Sequence, residues 1–366
     1  MKIVTVAGAR PNFMKIAPLM RAFTKQNREL CWGEEPIDSL LVHTGQHYDV
    51  KMSEIFFREL GIPDPDINLE VGSGTHAEQT ADVMRRFERV CLEHQPDWVV
   101  VVGDVNSTLA CSIVATKLHI NVAHIEAGLR SGDRSMPEEI NRLATDAIAD
   151  LLFPPSEDGS ENLRNEGVLE TRIKLVGNIM IDSLVSNLAK AKGDSFQDSF
   201  NLEPKNFSYV TLHRPSNVDQ KETLGPIIEG LASLANKMPV VFPIHPRTKK
   251  MLDAFEIDYR AIPNLKCIAP VGYHDSLYLS KNAAIVITDS GGLQEETTYF
   301  RTPCLTLRPN TERPVTINVG SNKLTTSERL SEDIEGTIEG PPFLGEIPPL
   351  WDGKTAERVT KELLSY

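Results

Sequence analysis

The stretch WVVVVGDVNSTLACSIVATKLHINVAHIE, residues 98–126, carries the pattern that predicts the fold. Two short apolar runs, Trp98–Val102 and Asn121–Ile125, flank the amphipathic segment Thr108–Leu118. Valine-rich runs of this kind are typical of strands that helices cover on both faces of a sheet. A strand, a helix and a second strand in this order predict a parallel βαβ unit.

The same alternation of apolar runs and helical patterns extends outward from this unit in both directions. It predicts an α/β protein with parallel sheets and crossover helices. The other predicted strands are Lys2–Val6, Ser39–His43, Ile173–Val176, Tyr209–Leu212, Val240–Ile244, Lys266–Ile268, Ala284–Ile287 and Cys304–Leu307. The other predicted helices are Asn12–Thr24, Ala77–Glu93, Glu138–Ala149, Thr223–Lys237, Tyr273–Ser280, Leu293–Tyr299 and Thr355–Leu364.

Length and one break in the alternation predict two domains. The 366 residues are too many for one ordinary core, and the alternation stops in a polar stretch between about residues 182 and 206. We place the boundary just before that stretch, so that residues 1–176 form an N-terminal domain and residues 177–351 a C-terminal one. The last helix, within residues 352–366, is expected to cross back onto the N-terminal domain, because an amphipathic helix needs a surface to cover.

Composition and charge exclude several classes of function. The formal net charge is −13 and no block of Lys and Arg occurs, which argues against DNA, RNA or an anionic membrane as a partner. A nucleotide can still bind where local cations and helix N-termini supply a positive field. We expect no membrane span and no signal peptide, since the apolar runs are too short for either. The five cysteines, odd in number and without a CxxC motif, predict reduced thiols in a cytoplasmic protein.

Residues with functional side chains or with glycine follow seven of the predicted strands. Ligands in open parallel sheets bind at the carboxyl ends of the strands. A solvated loop could carry any one of these residues, but their occurrence at strand ends in both halves predicts one interdomain cleft. The residues are Gly8, Ala9, Arg10, Gly103, Asp104, Glu126, Gly128, Arg130, His213, Arg214, His245, Asp289, Ser290, Gly291, Gly292 and Arg308.

Two loops have features that suit phosphate binding. Residues 290–292, Ser-Gly-Gly, open a predicted helix, where bare glycines let a phosphate approach free N–H groups. Glu296 follows in the first turns and could hold ribose hydroxyls, although early acids also simply stabilise a helix start. After the first strand, Arg10 and Lys15 could neutralise a diphosphate. A solvated surface position for Lys15 is an equally simple interpretation.

No cofactor and no metal are expected. The first loop is not GxGxxG and no GxxxxGK[ST] occurs, so neither nicotinamide nor P-loop chemistry is supported. His43 and His47 are four residues apart on a strand-to-loop segment rather than on one helix, which disfavours a metal site. Residues 64–66, Asp-Pro-Asp, suit a proline-bearing turn better than a metal motif.

Three carboxylates form a candidate acid–base set. For each acid alone the simpler interpretation is a surface charge, and Glu138 with Arg142 four residues later suits an exposed ion pair. As a set converging near Arg130 and His213, they predict proton transfer chemistry. The three are Asp104, Glu126 and Glu138.

Ten blocks of sequence together resemble the non-hydrolysing UDP-N-acetylglucosamine (UDP-GlcNAc) 2-epimerase family. They occur in order through nearly the whole chain, and jointly they are specific. The blocks are GARPNFMKIAP (8–18), HTGQH (43–47), GDVNST (103–108), HIEAGLRSGD (124–133), MPEEINR (136–142), VGN (176–178), LHRPSN (212–217), PIHPRT (243–248), TDSGGLQEE (288–296) and TERP (311–314).

The resemblance implies a fold and roles for individual residues. The fold is GT-B: two Rossmann-like parallel-sheet domains facing across a cleft, the N-terminal one catalytic and the C-terminal one UDP-binding. The implied catalytic residues are Asp104, Glu126, Glu138, Arg142 and His213. The implied substrate-binding residues are Arg10, Lys15, Arg130, His245, Ser290, Gly291, Gly292, Glu296 and Arg313. A second, activating substrate site would lie near Gln46, His47, Arg214 and His245.

The implied reaction interconverts UDP-GlcNAc and UDP-ManNAc without a cofactor. UDP leaves C1 while a base removes the C2 proton, and UDP re-adds to the resulting 2-acetamidoglucal after protonation on the other face. Asp104 and Glu138 would transfer protons at C2, Glu126 would orient the sugar, and His213 would assist the departing phosphate. A homodimer and a role in surface polysaccharide synthesis follow from analogy with the family.

The chain departs from the family pattern at two places, and four alternative functions stay open. The family often has Glu where this chain has Asn12, and a basic residue expected for substrate activation is not evident in residues 68–78. A hydrolysing relative, an epimerase of UDP-2,3-diacetamido-glucuronate, a GT-B glycosyltransferase and a non-enzymatic nucleotide-sugar sensor are the competing hypotheses. Retention of the whole acid set disfavours the sensor, because binding alone does not need it.

Overall fold

The computed structural model describes residues 1–366 except 32, 34, 46–63, 194–199, 201, 342 and 343, and for residues 10 and 11 it describes the backbone alone. The described chain forms two compact units. Unit 1 comprises Met1–Ser183 and Pro349–Tyr366, and unit 2 comprises Leu184–Pro348. The boundary between Ser183 and Leu184 therefore lies a few residues after the predicted boundary at residue 176, and it falls within a helix.

Unit 1 is built on a six-stranded sheet in the order β3-β2-β1-β4-β5-β6, and all its pairs are parallel. Its strands are β1 (Lys2–Ala7), β2 (Asp38–His43), β3 (Ile67–Asn68), β4 (Trp98–Val102), β5 (Asn121–Ile125) and β6 (Leu151–Phe153). Its helices are α1 (Arg10–Arg28), α2 (His76–His94), α3 (Asn106–Lys117), α4 (Pro137–Ile148), α5 (Glu157–Asn165) and most of α6 (Ile179–Asn187). This is the order of a doubly wound sheet, which reverses between β1 and β4.

Unit 2 repeats the same topology. Its six strands are ordered β12-β11-β10-β7-β8-β9, and the order reverses between β7 and β10. The strands are β7 (Ser208–Thr211), β8 (Val240–Pro243), β9 (Leu265–Ile268), β10 (Ile285–Thr288), β11 (Cys304–Leu307) and β12 (Asn322–Thr325). The helices are α7 (Pro215–Val218), α8 (Lys221–Ala235), α9 (Pro246–Ala254), α10 (Tyr273–Asn282), α11 (Gly291–Phe300), α12 (Val315–Asn318) and α13 (Leu330–Glu339).

The predicted α/β class with two parallel sheets is confirmed. The apolar runs that identified the strands are buried throughout: every residue of β4 and of β8 is buried. Apolar side chains of the strands and helices of unit 1, such as Val99, Val101 and Phe87, form one continuous cluster. Those of unit 2, such as Val210, Phe242 and Leu231, form another.

The last helix, α14 (Thr355–Ser365), packs on α1 of unit 1, as predicted. Its face bearing Val359 and Leu363 is fully buried. Asp182 binds its first turn, accepting hydrogen bonds from the backbone N–H groups of Thr355 at 3.0 Å and Ala356 at 2.7 Å. The carboxylate thereby satisfies donors that a helix N-terminus leaves free.

One predicted strand is wrong and three strands were missed. Ile173–Val176 is not a strand, because Ile173 makes only a single parallel bridge to Leu152. The edge position belongs to β6, whose three residues give too short an apolar run to stand out. The other missed strands are the two-residue β3 and the polar β12.

No helix within the described ranges is both long enough and apolar enough to cross a bilayer.

Candidate active site

The point where the strand order reverses carries the predicted site residues in each sheet. In unit 1, α1 begins shortly after β1, and Gly103 and Asp104 follow β4. In unit 2, His213 follows β7 and Ser290 follows β10. Crevices at the carboxyl ends of strands beside such a reversal are where open α/β sheets bind ligands.

Asp104 is fixed from two directions in unit 1. Its carboxylate accepts a hydrogen bond from Nη1 of Arg142, which lies on α4. Its backbone carbonyl accepts one from Nδ2 of Asn141 at 2.9 Å. The side chain is about one-third exposed, at 34%, so one face of this carboxylate is open to a ligand while the other is held.

Glu126 forms a buried ion pair with Lys15. Oε2 of Glu126 accepts a hydrogen bond from Lys15 Nζ, and the two side chains are 3% and 10% exposed. The other oxygen, Oε1, is buried and has no hydrogen-bond partner among the residues that the structure describes. Lys15 is therefore not a solvated surface lysine. Asn12 lies beside the pair; its Oδ1 caps the loop by accepting from the N–H groups of Gly8 and Ala9.

Arg142 does not pair with Glu138, so the simple interpretation of an exposed i,i+4 pair is wrong. Glu139, three residues before Arg142, accepts hydrogen bonds from its Nη2 at 2.6 Å and its Nε at 3.0 Å. Burial raises the pKa of Glu139, but the N–H groups of Ser131 and Gly132 and the Arg142 guanidinium lower it further, and the net pKa is below its usual value. Glu138 is partly exposed.

A buried histidine–aspartate pair lies behind these loops. His124 Nδ1 is 2.6 Å from Asp146 Oδ1, and His124 Nε2 is 2.8 Å from the Gly103 carbonyl oxygen. Arg130 donates to Asp146 at 2.7 Å and to both carboxylate oxygens of Glu166. Burial raises the pKa of Asp146, but His124, Arg130 and the Gly128 N–H outweigh it, so that its pKa lies below the usual value.

In unit 2, His213 is held by a buried carboxylate. Its Nδ1 is 2.8 Å from Oδ1 of Asp289, and the ring is 44% exposed. Asp289 also accepts hydrogen bonds from the backbone N–H groups of His213 and Arg214. These contacts outweigh burial and keep the pKa of Asp289 below its usual value. His245 lies close by, with ring centroids 5.9 Å apart.

The Ser-Gly-Gly turn forms the start of α11, with Ser290 as its N-cap. A Cβ on Gly292 would meet no atom within 4 Å, so this first turn is open to a ligand. A Cβ on Gly291 would lie 3.1 Å from Nη1 of Arg313, which places a guanidinium beside the helix N-terminus. Positive charge and free N–H groups together suit an anion.

Arg313 is anchored by two buried acids. Its Nε donates to Oε1 of Glu295 at 2.8 Å, and its Nη1 donates to Glu312. Glu312 also pairs with the buried Arg308 at 2.8 Å. Burial raises the pKa of Glu312, but Arg313 and Arg308 lower it well below its usual value.

Glu296 is buried, and one of its carboxyl oxygens, Oε2, can accept a further hydrogen bond. It is 7% exposed, and within the described part of the chain its Oε2 has no hydrogen-bond partner. Burial, together with the charge of Glu295, raises its pKa to about 8. A buried carboxyl oxygen without a donor is costly, so a ligand hydroxyl at this position would be stabilising.

The chain matches the family model described as UDP-N-acetylglucosamine 2-epimerase over residues 31–364. It belongs to that family. The family consists of epimerases, which are isomerases. This membership confirms the resemblance that the ten blocks indicate.

Two relatives and one solved structure illustrate this membership. The UDP-N-acetylglucosamine 2-epimerase of Methanocaldococcus jannaschii is 44% identical over 375 aligned residues, covering 100% of this chain and 99% of that protein. The UDP-2,3-diacetamido-2,3-dideoxy-D-glucuronate 2-epimerase of Pseudomonas aeruginosa is 41% identical, covering 90% and 89%. The crystal structure of the Methanocaldococcus enzyme in complex with UDP-GlcNAc and UDP superposes with a TM-score of 0.85, covering 100% of both chains at 43% identity. The predicted GT-B class is thereby confirmed.

The activating site that the epimerase family suggested stays a prediction. Gln46 and His47 lie outside the described residues. Arg214 is half-buried, and burial together with the charge of Arg308 lowers its pKa. Burial and His213 lower the pKa of His245. The side chain of Arg10 is also outside the described part, although its backbone begins α1.

Four residues of the site were missed by the sequence reasoning: His124, Glu139, Asp146 and Asn141. Helical spacing could not identify Asp146, because its partners His124 and Arg130 lie outside α4. His124 stands in an otherwise apolar strand, where a polar residue needs a partner. Among the described residues, no group of three or more His, Cys, Asp and Glu side chains could hold a metal.

Proposed function

We propose that the protein is a non-hydrolysing UDP-GlcNAc 2-epimerase, which interconverts UDP-GlcNAc and UDP-ManNAc without a cofactor. The observation that carries the proposal is the set of carboxylates at the carboxyl ends of β4 and β5, where Asp104 is held by Arg142 and Glu126 by Lys15. The 44% identity to the Methanocaldococcus epimerase over the full length supports the same reaction.

The C2 proton of UDP-GlcNAc has no adjacent carbonyl to acidify it, so the proposed reaction is an elimination followed by an addition. A base removes the C2 proton, the C–H electron pair becomes the C1–C2 double bond, and the C1–O bond breaks as UDP leaves with its electrons. Protonation of the 2-acetamidoglucal at C2 from the other face and attack of a UDP oxygen at C1 then give UDP-ManNAc. Positioned acids and bases typically contribute about 10²–10⁴-fold to such steps.

Unit 1 supplies the acids and bases in this proposal. We assign proton transfer at C2 to Asp104 and Glu138, which are partly exposed and so accessible to a sugar. Glu126 orients the sugar through its unpartnered Oε1. Lys15, which is paired with Glu126, and Arg10 contribute positive charge towards the diphosphate.

Unit 2 supplies the nucleotide contacts. The open first turn of α11, at Ser290–Gly292, offers N–H groups to the diphosphate. Arg313 adds a charge next to that turn. Glu296 accepts a ribose hydroxyl at its free oxygen. His213, oriented by Asp289, stabilises the phosphate as it leaves C1.

The test is NMR of the purified protein with UDP-GlcNAc in D2O, without added cofactor or metal. The proposal expects UDP-ManNAc to appear with deuterium at C2, at equilibrium with the substrate. Asp104→Asn is expected to lose both turnover and deuterium exchange. Asp82→Asn is the matched control, because Asp82 is paired on the surface of α2 with Arg85 at 3.3 Å. Wild-type exchange in Asp104→Asn would show that the assignment of Asp104 is wrong.

UDP-2,3-diacetamido-2,3-dideoxy-glucuronate is the second candidate substrate, because the Pseudomonas epimerase of that sugar nucleotide is 41% identical. Both sugars have an acetamido group at C2 and lose the same proton. Turnover of the glucuronate derivative with unchanged UDP-GlcNAc would favour this candidate. Release of free ManNAc and UDP would indicate a hydrolysing enzyme.

A further inference from the structure

We propose that His124 and Asp146 are positioning residues which together fix the distance between the Asp104 loop and the Glu126 turn. The inference deepens the proposed function, on which it rests, by explaining how two acids on separate strands are kept in register. Neither residue touches a position accessible to substrate, since their side chains are 0% and 1% exposed.

The Asp104 loop is attached to β5 through Gly103. The Gly103 N–H donates to the Ile125 carbonyl at 3.1 Å, and the Gly103 carbonyl lies 2.8 Å from His124 Nε2. Both backbone groups of the residue before Asp104 are therefore bound to one strand. This fixes the plane of the Gly103–Asp104 peptide, and with it the direction in which the Asp104 side chain leaves the backbone.

The Glu126 turn is attached to α4 through Asp146. Oδ2 of Asp146 accepts a hydrogen bond from the Gly128 N–H at 2.9 Å, while its Oδ1 faces His124 Nδ1 at 2.6 Å. Glu126 itself has a positive φ of 70°, an uncommon conformation that the surroundings must hold in place. The chain of contacts from Gly103 through His124 and Asp146 to Gly128 thus links both loops.

Arg130 and its partners keep the Asp146 carboxylate ionised. Arg130 donates to Asp146 at 2.7 Å, and the pKa of Asp146 lies below its usual value despite complete burial. An ionised carboxylate can only accept hydrogen bonds, and so can the Gly103 carbonyl. Both ring nitrogens of His124 therefore face acceptors, Asp146 Oδ1 and the Gly103 carbonyl oxygen.

These requirements allow a matched pair of variants. The amide nitrogen of Gln can reach the position of His Nε2, so His124→Gln can keep the contact to Gly103. Asn is shorter and reaches only the position of Nδ1, so His124→Asn loses Gly103 and keeps Asp146. Both replace a buried imidazole by a neutral amide, so a purely structural role predicts similar losses in both.

The experiment measures kcat and KM for UDP-GlcNAc, the rate of C2 deuterium exchange and the thermal midpoint. For His124→Asn we expect kcat to fall about 100-fold, because a misplacement of about 1 Å at the reacting groups lowers the rate by about that factor. KM should stay within a few-fold of the wild-type value. His124→Gln is expected to retain at least about ten-fold more of kcat. Thr145→Val is the control, since Thr145 is buried on α4 and its hydroxyl bonds to none of the described residues.

Equal kcat in the Gln and Asn variants, or losses that follow the thermal midpoint, would overturn the inference. If the wild type leaves UDP-GlcNAc unchanged, the proposed function fails, and crystal structures of the two variants still decide the positioning role. The inference then expects the Gly103–Asp104 peptide to shift in His124→Asn and to stay in place in His124→Gln. An unshifted peptide in both variants would contradict it.

Discussion

Lys15→Met is the substitution whose effect the structure predicts most directly. The variant removes the ammonium but keeps an unbranched side chain of similar length, so the packing changes little. It leaves the Glu126 carboxylate buried with neither oxygen paired to a described residue, because Oε1 has no such partner and Oε2 loses Lys15. Breaking a buried pair by removing one partner costs about 3–5 kcal/mol.

The expected loss of stability is large for a unit of this size. A free-energy change of about 1 kcal/mol shifts the unfolding midpoint of a 150–250-residue domain by about 2–4 °C. Lys15→Met should therefore lower the midpoint of unit 1 by roughly 10 °C. Lys15→Met combined with Glu126→Gln removes both charges and should recover part of the loss, since an unpaired buried amide costs less than an unpaired buried carboxylate.

Tryptophan fluorescence during thermal or urea unfolding reports on unit 1 alone. Trp98 and Trp351 are buried in it, and no tryptophan occurs between residues 184 and 348. Lys25→Met is the control, because Lys25 pairs with Glu357 on the surface and its loss should barely move the midpoint. The reasoning is refuted if Lys15→Met is no worse than Lys25→Met, or if adding Glu126→Gln gives no recovery.

Three further substitutions test separate features. The pKa of Glu296, raised from 4.5 to about 8, means that the folded chain keeps a proton that the unfolded chain releases, so the wild type loses stability as pH rises through that range. Glu296→Gln does not titrate at this position, so the thermal midpoint of the variant minus that of the wild type should rise from about pH 4.5 to about pH 8 and then stay constant. A difference that does not vary with pH would contradict the raised pKa of Glu296. Asp182→Ala removes the acceptor for two N–H groups at the start of α14 and should cost unit 1 about 1–2 kcal/mol in urea unfolding, whereas Asp182→Asn, which can still accept, should cost less. Gly128→Ala should prevent folding of unit 1, as seen by yield and circular dichroism, because its Cβ would lie 2.2 Å from the Gly159 carbonyl oxygen; Gly167→Ala, at a similar positive φ but with no atom within 4 Å, should cost only about 1–2 kcal/mol, and equal behaviour of the two would contradict the steric argument.

The strands at the centre of each sheet could be predicted from the sequence, and those at the edges could not. β4 and β5 have the predicted bounds, because a strand covered on both faces must be apolar along its whole length. An edge strand such as β12 is paired along one side only, so its Asn-Lys-Leu-Thr sequence gives no such signal. β6 is too short for its composition to be distinguished from the apolar segment at Ile173.

The ion-pair partners of individual residues in the candidate site could not be predicted from the sequence. Residues three and four apart lie on the same face of a helix, so spacing could not decide whether Arg142 pairs with Glu138 or with Glu139. The deciding contact is with Asp104, 38 residues away on another element. Lys15 was ambiguous for the same reason, because its burial depends on Glu126 at the end of β5.

The two units share one topology but differ in the charged groups at the loops near the point where the strand order reverses. In unit 1 the loop after β4 places the partly exposed Asp104 against the buried Arg142, and the turn after β5 places Glu126 against Lys15, both of them buried. In unit 2 the loop after β10 presents Ser290–Gly292 at a helix N-terminus, and the acids stand behind Arg313 instead. In the proposed function, a chain of net charge −13 uses carboxylates of unit 1 on the sugar and the positive field at the start of α11 on the diphosphate. Because pairs such as Asp104 with Arg142 and Arg313 with Glu295 are formed within one unit, the local field at these loops depends on those pairs rather than on the net charge of the chain.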